Sequence, residues 1–127
     1  MALSGSCHCG AVTFEVDTPP GGVTRCNCTY CFRAGGLWAY YQPEQLRLTS
    51  DPDKVATYQF GTFTGEHHHC PACGSITHGS SLDWRDWQPG GPFPTERMVS
   101  INARMLDRDA FDLARVPVTD VDGLNGW

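Results

Sequence analysis

Seven cysteines in three short clusters constrain this chain more than any other feature of its 127 residues. Cys7-His8-Cys9 is a CxC followed by Gly10, and Cys26-Asn27-Cys28-Thr29-Tyr30-Cys31 is a CxCxxC. Cys70-Pro71-Ala72-Cys73 is a CxxC followed by Gly74. An odd count fits poorly with a framework made only of disulfides, and metal explains clusters of this spacing better. In the CPxCG form two thiolates must converge on one ion at about 2.3 Å each, so the chain between them turns tightly. Pro71 presets that turn. Gly74 tolerates a positive φ and leaves backbone N–H groups free to point at sulfur.

A closed structural zinc site takes four ligands, whereas a catalytic site keeps one position open and uses three. Keeping each cluster intact gives Cys7, Cys9, Cys70 and Cys73 as a four-thiolate set. Cys26, Cys28 and Cys31 then form a three-thiolate set with a vacant corner. A rival division pairs Cys28 and Cys31 with Cys70 and Cys73, leaving Cys7, Cys9 and Cys26, and spacing does not exclude it. A plainer alternative makes all the zinc structural, because zinc binding substitutes for a large core in small domains. One of His8, His67, His68, His69 or His78 would then complete the second site.

The length suits one domain, 1–127. Fourteen glycines and nine prolines favour short strands and many turns over long helices. Runs with β-branched and aromatic residues predict strands at Ala11–Val16, Leu37–Tyr41, Val55–Phe60 and Met98–Asn102. Turn signals separate them at Pro19–Gly22, Asp51–Asp53 and Pro89–Pro94, the last a surface loop. Short helices are predicted near Tyr30–Ala34 and Asp109–Leu113. The fold class that follows is mainly β, with zinc as its staple.

The formal charge is −5, thiolates add to it, and no run of Lys or Arg offsets it. Such a surface repels phosphate backbones, so nucleic acid is not an expected partner. Met1–Val16 lacks the pattern of a signal peptide, and no stretch approaches the roughly 20 apolar residues of a membrane span. A reducing, cytoplasmic location is the expectation, since paired disulfides are rare there.

The residues around all three clusters resemble the GFA family, the glutathione-dependent formaldehyde-activating enzymes and their relatives. Gly5-Ser6-Cys7-His8-Cys9-Gly10-Ala11-Val12 is similar to the family's opening segment. Cys26–Cys31 with Arg33 and Gly35, running into the aromatic strand Leu37–Tyr41, resembles its central segment. His68-His69-Cys70-Pro71-Ala72-Cys73-Gly74 is similar to its CxxCG segment. Val99–Asp107 resembles its late strand, and Asp122-Gly123 with Trp127 its close. The likeness runs from Gly5 to Trp127. Three departures stand beside it: Phe32 where the family often has a polar or basic residue, Ser75 after the CxxCG, and the Pro89–Pro94 loop.

The resemblance implies a β-tent of small antiparallel sheets pinned by a Cys₄ zinc. It assigns the structural zinc to Cys7, Cys9, Cys70 and Cys73, and the catalytic zinc to Cys26, Cys28 and Cys31. Two ions per chain are implied, the second open to partial occupancy. The implied activity is that of a carbon–sulfur lyase on a thiol–aldehyde adduct, similar to S-(hydroxymethyl)glutathione synthase. Its partner would be a small thiol such as glutathione or its aldehyde adduct, and a homodimer is compatible with it. The competing reading is a non-catalytic β-tent zinc module for protein interaction; fold alone does not choose between the two.

Among the other residues, a histidine is the usual proton carrier near neutral pH. Along a strand His67 and His69 share one face and His68 takes the other, so only a subset can serve one site. Arg33 is a candidate for a glutathione carboxylate, against the plainer reading of a solvated arginine. Trp38, Tyr40 and Tyr41 are candidates for a pocket wall, against the plainer reading of core.

Overall fold

The structure, a computed structural model, describes residues 2–126. Trp127, the end of the closing-segment resemblance, lies outside the described residues. The chain is mainly β, as the sequence predicts. In order come β1 (Leu3–Ser6), β2 (Thr13–Val16), β3 (Val23–Cys26), α1 (Thr29–Ala34), β4 (Trp38–Tyr41) and β5 (Leu46–Leu48). There follow β6 (Ala56–Tyr58), β7 (Glu66–His69), β8 (Ile76–Leu82), β9 (Arg97–Asn102), β10 (Val118–Val121) and α2 (Gly123–Gly126). These strands make two sheets and no closed barrel. The smaller has the order β1-β2-β5 and the larger β10-β3-β4-β9-β8-β7-β6. Among the described residues only β10 with β3 is parallel; the other pairings are antiparallel.

Apolar burial joins the sheets. Leu3, Phe14 and Val16 of the small sheet pack with Val23, Ala39, Tyr41 and Ile101 of the large one. Phe14 and Ile101 are almost wholly removed from water. A second, smaller cluster contains Val12, Cys7 and Cys70, with Leu48 and Val55 against it. Cys7 and Cys70 of the four-cysteine set therefore lie in an apolar seam, where the turn after β1 meets the turn after β7, while Cys9 is exposed at its edge. Tyr41 belongs to the core and its hydroxyl donates to Thr18 O at 2.7 Å. It is no pocket wall.

Register decides which residues face which way. Directly paired residues in an antiparallel sheet share a face. One row across the large sheet runs Ala39, Ile101, His78, His68, Thr57. Ala39 and Ile101 are core residues, so this row faces the small sheet, and the His78 ring lies 6.3 Å from that of Phe14. The adjacent row runs Tyr40, Ser100, Gly79, His67, Tyr58 and faces the opposite way. Above it lies α1, whose Tyr30 ring is 4.1 Å from that of His67.

The predicted helix at Asp109–Leu113 does not form. Asp107 accepts the backbone N–H of Asp109 on Oδ1, and Asp112 Oδ1 accepts that of Ala114. Short aspartates offer the backbone these turns in place of helical bonds. The result is a turn at 108–110 and one 3₁₀ turn, Leu113–Arg115. No helix among the described residues is long and apolar enough to cross a membrane.

Candidate metal centres and cleft

The fold brings the cysteines together in two sets. All seven thiols are free of disulfides. The sulfurs of Cys7, Cys9, Cys70 and Cys73 lie within 4.8 Å of one another, as do those of Cys26, Cys28 and Cys31. These are the divisions that keep each sequence cluster intact. The rival pairing of Cys28 and Cys31 with Cys70 and Cys73 is not among the gathered sets.

The first set fits zinc. A tetrahedron of Zn–S bonds of about 2.3 Å has S···S edges of about 3.8 Å. Here Cys7 Sγ and Cys9 Sγ are 3.7 Å apart, and Cys9 Sγ and Cys70 Sγ are 3.6 Å apart. The backbone turns around them as the CPxCG form requires. Gly74 takes φ +81° and its N–H donates to Cys70 O at 2.8 Å. The Val12 N–H donates to Cys7 Sγ at 3.2 Å. Ser75, the departure noted after the CxxCG, has its hydroxyl 3.4 Å from Cys73 Sγ and accepts the N–H of His8. The Ser75 hydroxyl, its N–H and that of Cys9 pull the Cys73 thiol down to about 5.

The second set is built at one end of α1. Cys26 ends β3, and Cys28 caps the helix with its sulfur accepting the Cys31 N–H at 3.3 Å. The Cys28 N–H in turn donates to Cys26 Sγ at 3.4 Å. Burial opposes ionisation of Cys28, but hydrogen bonds from Cys31 and Cys26 outweigh it and set this thiol below its ordinary value. Burial, followed by the neighbouring sulfurs, pushes Cys31 the other way. Three thiols in contact suit a soft divalent cation. Among the described residues no histidine nitrogen or carboxylate oxygen joins the three sulfurs at the same reach.

The C-terminal segment holds this loop from behind. Asn27, between Cys26 and Cys28, donates from Nδ2 to Asp122 Oδ1 at 3.1 Å and accepts the Leu124 N–H on Oδ1 at 3.0 Å. Its own N–H donates to Val121 O. Strand β10 is parallel to β3, and that pairing delivers Asp122 to this place.

Two phenols face the triplet. Tyr30 is raised to about 12 by burial and then by the charges of Cys31 and Cys28. Tyr40, half exposed, is raised likewise by the atoms crowding it and then by Cys31, Cys26 and Cys28. Burial, and then His68, lowers His67, which is therefore neutral near pH 7. His68 and His78 stack on the opposite face at 4.6 Å, with their Nδ1 atoms at Thr57 Oγ1 and Thr77 Oγ1. They serve the core side of the sheet. Of the pocket-wall candidates, Tyr40 alone has this outlook, since Trp38 is 5% exposed. Asn102 is a buried brace: it accepts the Leu37 and Arg104 N–H groups and donates to Ile76 O.

Beside the triplet runs a cleft of about 520 Å³. Thr29, Tyr30, Arg33 and Ala34 of α1 form one wall, and Tyr58 and Phe60 the other. Sequence reasoning missed Tyr58 and Phe60 as site residues. Both carried a signal, since they stand two apart in a predicted strand run and so share a face.

The fold and these clusters define a mainly β thiol-cluster protein with two candidate metal sites. The chain belongs to the GFA family: the family model described as glutathione-dependent formaldehyde-activating enzyme matches residues 2–87. It is 36% identical over 88 residues to a Halomonas elongata protein named for glutathione-dependent formaldehyde activation. That match covers 59% of this chain and 54% of the relative, so it spans about half of the relative's length. A crystal structure of a Rhodobacter sphaeroides protein superposes with a TM-score of 0.67 at 34% identity, covering 91% of this chain and 99% of that one.

Proposed function

We propose that this chain is a zinc-dependent enzyme of the carbon–sulfur lyase class, forming or cleaving the adduct of a small thiol and an aldehyde. Glutathione is the thiol suggested by the relative's name, and a reducing compartment such as the cytoplasm suits seven free thiols. The carrying observation is the triplet Cys26, Cys28 and Cys31, gathered with no fourth side-chain ligand among the described residues. Cys7, Cys9, Cys70 and Cys73 would hold a second, closed zinc that ties the two sheets together.

Zinc held by the triplet would supply Lewis acidity and favour the thiolate form of an incoming thiol at neutral pH. Tyr30 and Tyr40 remain protonated at that pH, so their O–H groups can donate to an aldehyde oxygen as charge builds on it. His67, neutral and packed against Tyr30, can take up the proton that the thiol gives up. Asn27, clamped by Asp122 and Leu124, keeps the cysteine loop in shape while substrates exchange. The reaction needs no redox step.

The reading is tested by following thiol–aldehyde exchange by NMR with zinc-loaded protein, formaldehyde and glutathione, beside Cys28→Ser. It requires exchange faster than the buffer reaction, and loss of that acceleration in a variant whose circular dichroism is unchanged. No acceleration by the intact protein with any small thiol would leave the interaction-module reading in its place.

A further inference from the structure

We infer that the cleft beside the triplet receives a planar aromatic group carrying an acidic substituent, so that the aldehyde partner is an aryl aldehyde larger than formaldehyde. This deepens the proposed thiol–aldehyde reading and rests on it.

Three aromatic rings, those of Tyr30, Tyr58 and Phe60, line the cleft. Tyr30 and Tyr58 have centroids 6.1 Å apart, Tyr30 and Phe60 5.6 Å, and Tyr58 and Phe60 5.6 Å. Their planes differ by 23–29°. A column of three stacked rings would set its outer pair about twice as far apart as its neighbours. Nearly equal separations with similar planes describe a triangle of offset-stacked rings, a cluster that His67 joins at 4.1 Å from Tyr30 and 5.2 Å from Phe60. Phe60 is 41% and Tyr58 51% exposed, so one side of the cluster is an aromatic patch open to a ligand.

Size and charge narrow what the patch accepts. A cleft of about 520 Å³ falls within the roughly 300–1,000 Å³ typical of sites for drug-sized ligands, far beyond a one-carbon aldehyde. Its walls are aromatic and aliphatic apart from Thr29 and Arg33. That composition suits an aryl ring better than the peptide groups and paired charges of glutathione. Arg33 Nη1 is braced on Thr29 O at 2.9 Å, which holds the guanidinium over the cleft's rim. An aromatic patch alone would also attract a cation, but Arg33 repels one and favours a carboxylate.

The cleft's wall and the triplet share one stretch of chain. Thr29 and Tyr30, which line it, are the two residues between Cys28 and Cys31. An aryl aldehyde held there would have to reach the sulfurs around this turn. In the reaction the thiol's sulfur bonds to the aldehyde carbon, the C=O π pair moves to oxygen, and oxygen takes the proton the thiol released. The product is the hemithioacetal, and every atom is retained.

Two measurements separate this inference from the reading beneath it. The first titrates zinc-loaded protein with 4-carboxybenzyl alcohol, a non-reacting mimic of the adduct's carbinol, and follows ring and backbone NMR signals. Shifts should centre on Tyr30, Tyr58, Phe60 and Arg33, with affinity at least tenfold weaker in Phe60→Ala and markedly weaker in Arg33→Gln. Binding elsewhere, or affinity unchanged in both variants, overturns the assignment. The second compares acceleration over the buffer reaction for 4-carboxybenzaldehyde and for formaldehyde with glutathione. The ratio should favour the aryl aldehyde and fall at least tenfold in Phe60→Ala; turnover of formaldehyde alone overturns the inference. Turnover of neither aldehyde sinks the lyase reading, and the cleft is then judged on the titration.

Discussion

Asp122 Oδ1 accepts a hydrogen bond from Asn27 Nδ2 at 3.1 Å, tying the end of the chain to the residue between two candidate metal ligands. The same carboxylate accepts from Asn125, and the Asn125 side chain, then Asn27 and the Asn125 N–H, hold Asp122 below the usual carboxylate range. The C-terminal segment therefore belongs to the candidate metal centre although it contributes no sulfur. Groups that orient ligands typically cost 10–100-fold in metal affinity when removed. Asp122→Ala should weaken the second zinc site by about that factor while leaving the first untouched. Competition with a chromophoric chelator reads the two sites in sequence; equal weakening of both would count against a local clamp.

Ser75 gives a pH-dependent prediction. Its hydroxyl and N–H lower the Cys73 pKa to about 5, so the sulfur is available as thiolate above that pH. Removing the hydroxyl raises the pKa, and protons then compete for the sulfur at higher pH. Ser75→Ala should shift the midpoint of acid-induced zinc release upward from the wild-type value. A midpoint that stayed put, or moved down, would mean Ser75 does not tune this ligand. Ser75→Thr keeps the hydroxyl and should restore the wild-type midpoint.

Gly79 tests the register that builds the site. A Cβ there would meet Glu66 O at 2.8 Å and Ser100 Oγ at 3.4 Å. The first contact is backbone of the neighbouring strand, which cannot rotate away. Gly79→Ala should destabilise the fold by about 1–3 kcal/mol, the usual cost of overpacking. Urea denaturation measures it, and a change under 0.3 kcal/mol would show that the strands are not this close.

Phe14 is the large side chain that joins the sheets, 1% exposed, with its ring against Gly5. Phe14→Ala should cost about 3–5 kcal/mol, as expected for a deleted buried aromatic. Loss of under 1 kcal/mol in thermal or urea unfolding would place the core elsewhere.

Much of this architecture was legible before any coordinates. Cluster spacing favoured the two cysteine sets, and the local resemblance chose between that division and its rival. Strands β4 and β9 were visible because aromatic and β-branched residues recur there. Strand β8, Ile76–Leu82, was not, since Gly79, Ser80 and Ser81 read as turn residues and only its two paired neighbours make it a strand. Strand β7 is four polar residues, Glu66–His69, and earns its place by pairing on both sides. The helix predicted at Asp109–Leu113 failed because aspartate side chains took the backbone bonds locally. The cleft was the least legible part. It is made by residues far apart in sequence, Tyr30 and Phe60, and its existence depends on how the large sheet folds under α1.

The central claim is that the seven cysteines hold two zinc ions of different kinds, one closing the seam between the sheets and one left open. The most direct measurement is zinc per chain in protein purified under reducing conditions, for the wild type and for Cys28→Ser. The account predicts two zincs falling to about one, in a variant that keeps its circular dichroism, whereas Cys73→Ser should lose the fold itself. One zinc in the wild type, unchanged in Cys28→Ser, would mean the triplet is no metal site and would contradict the account.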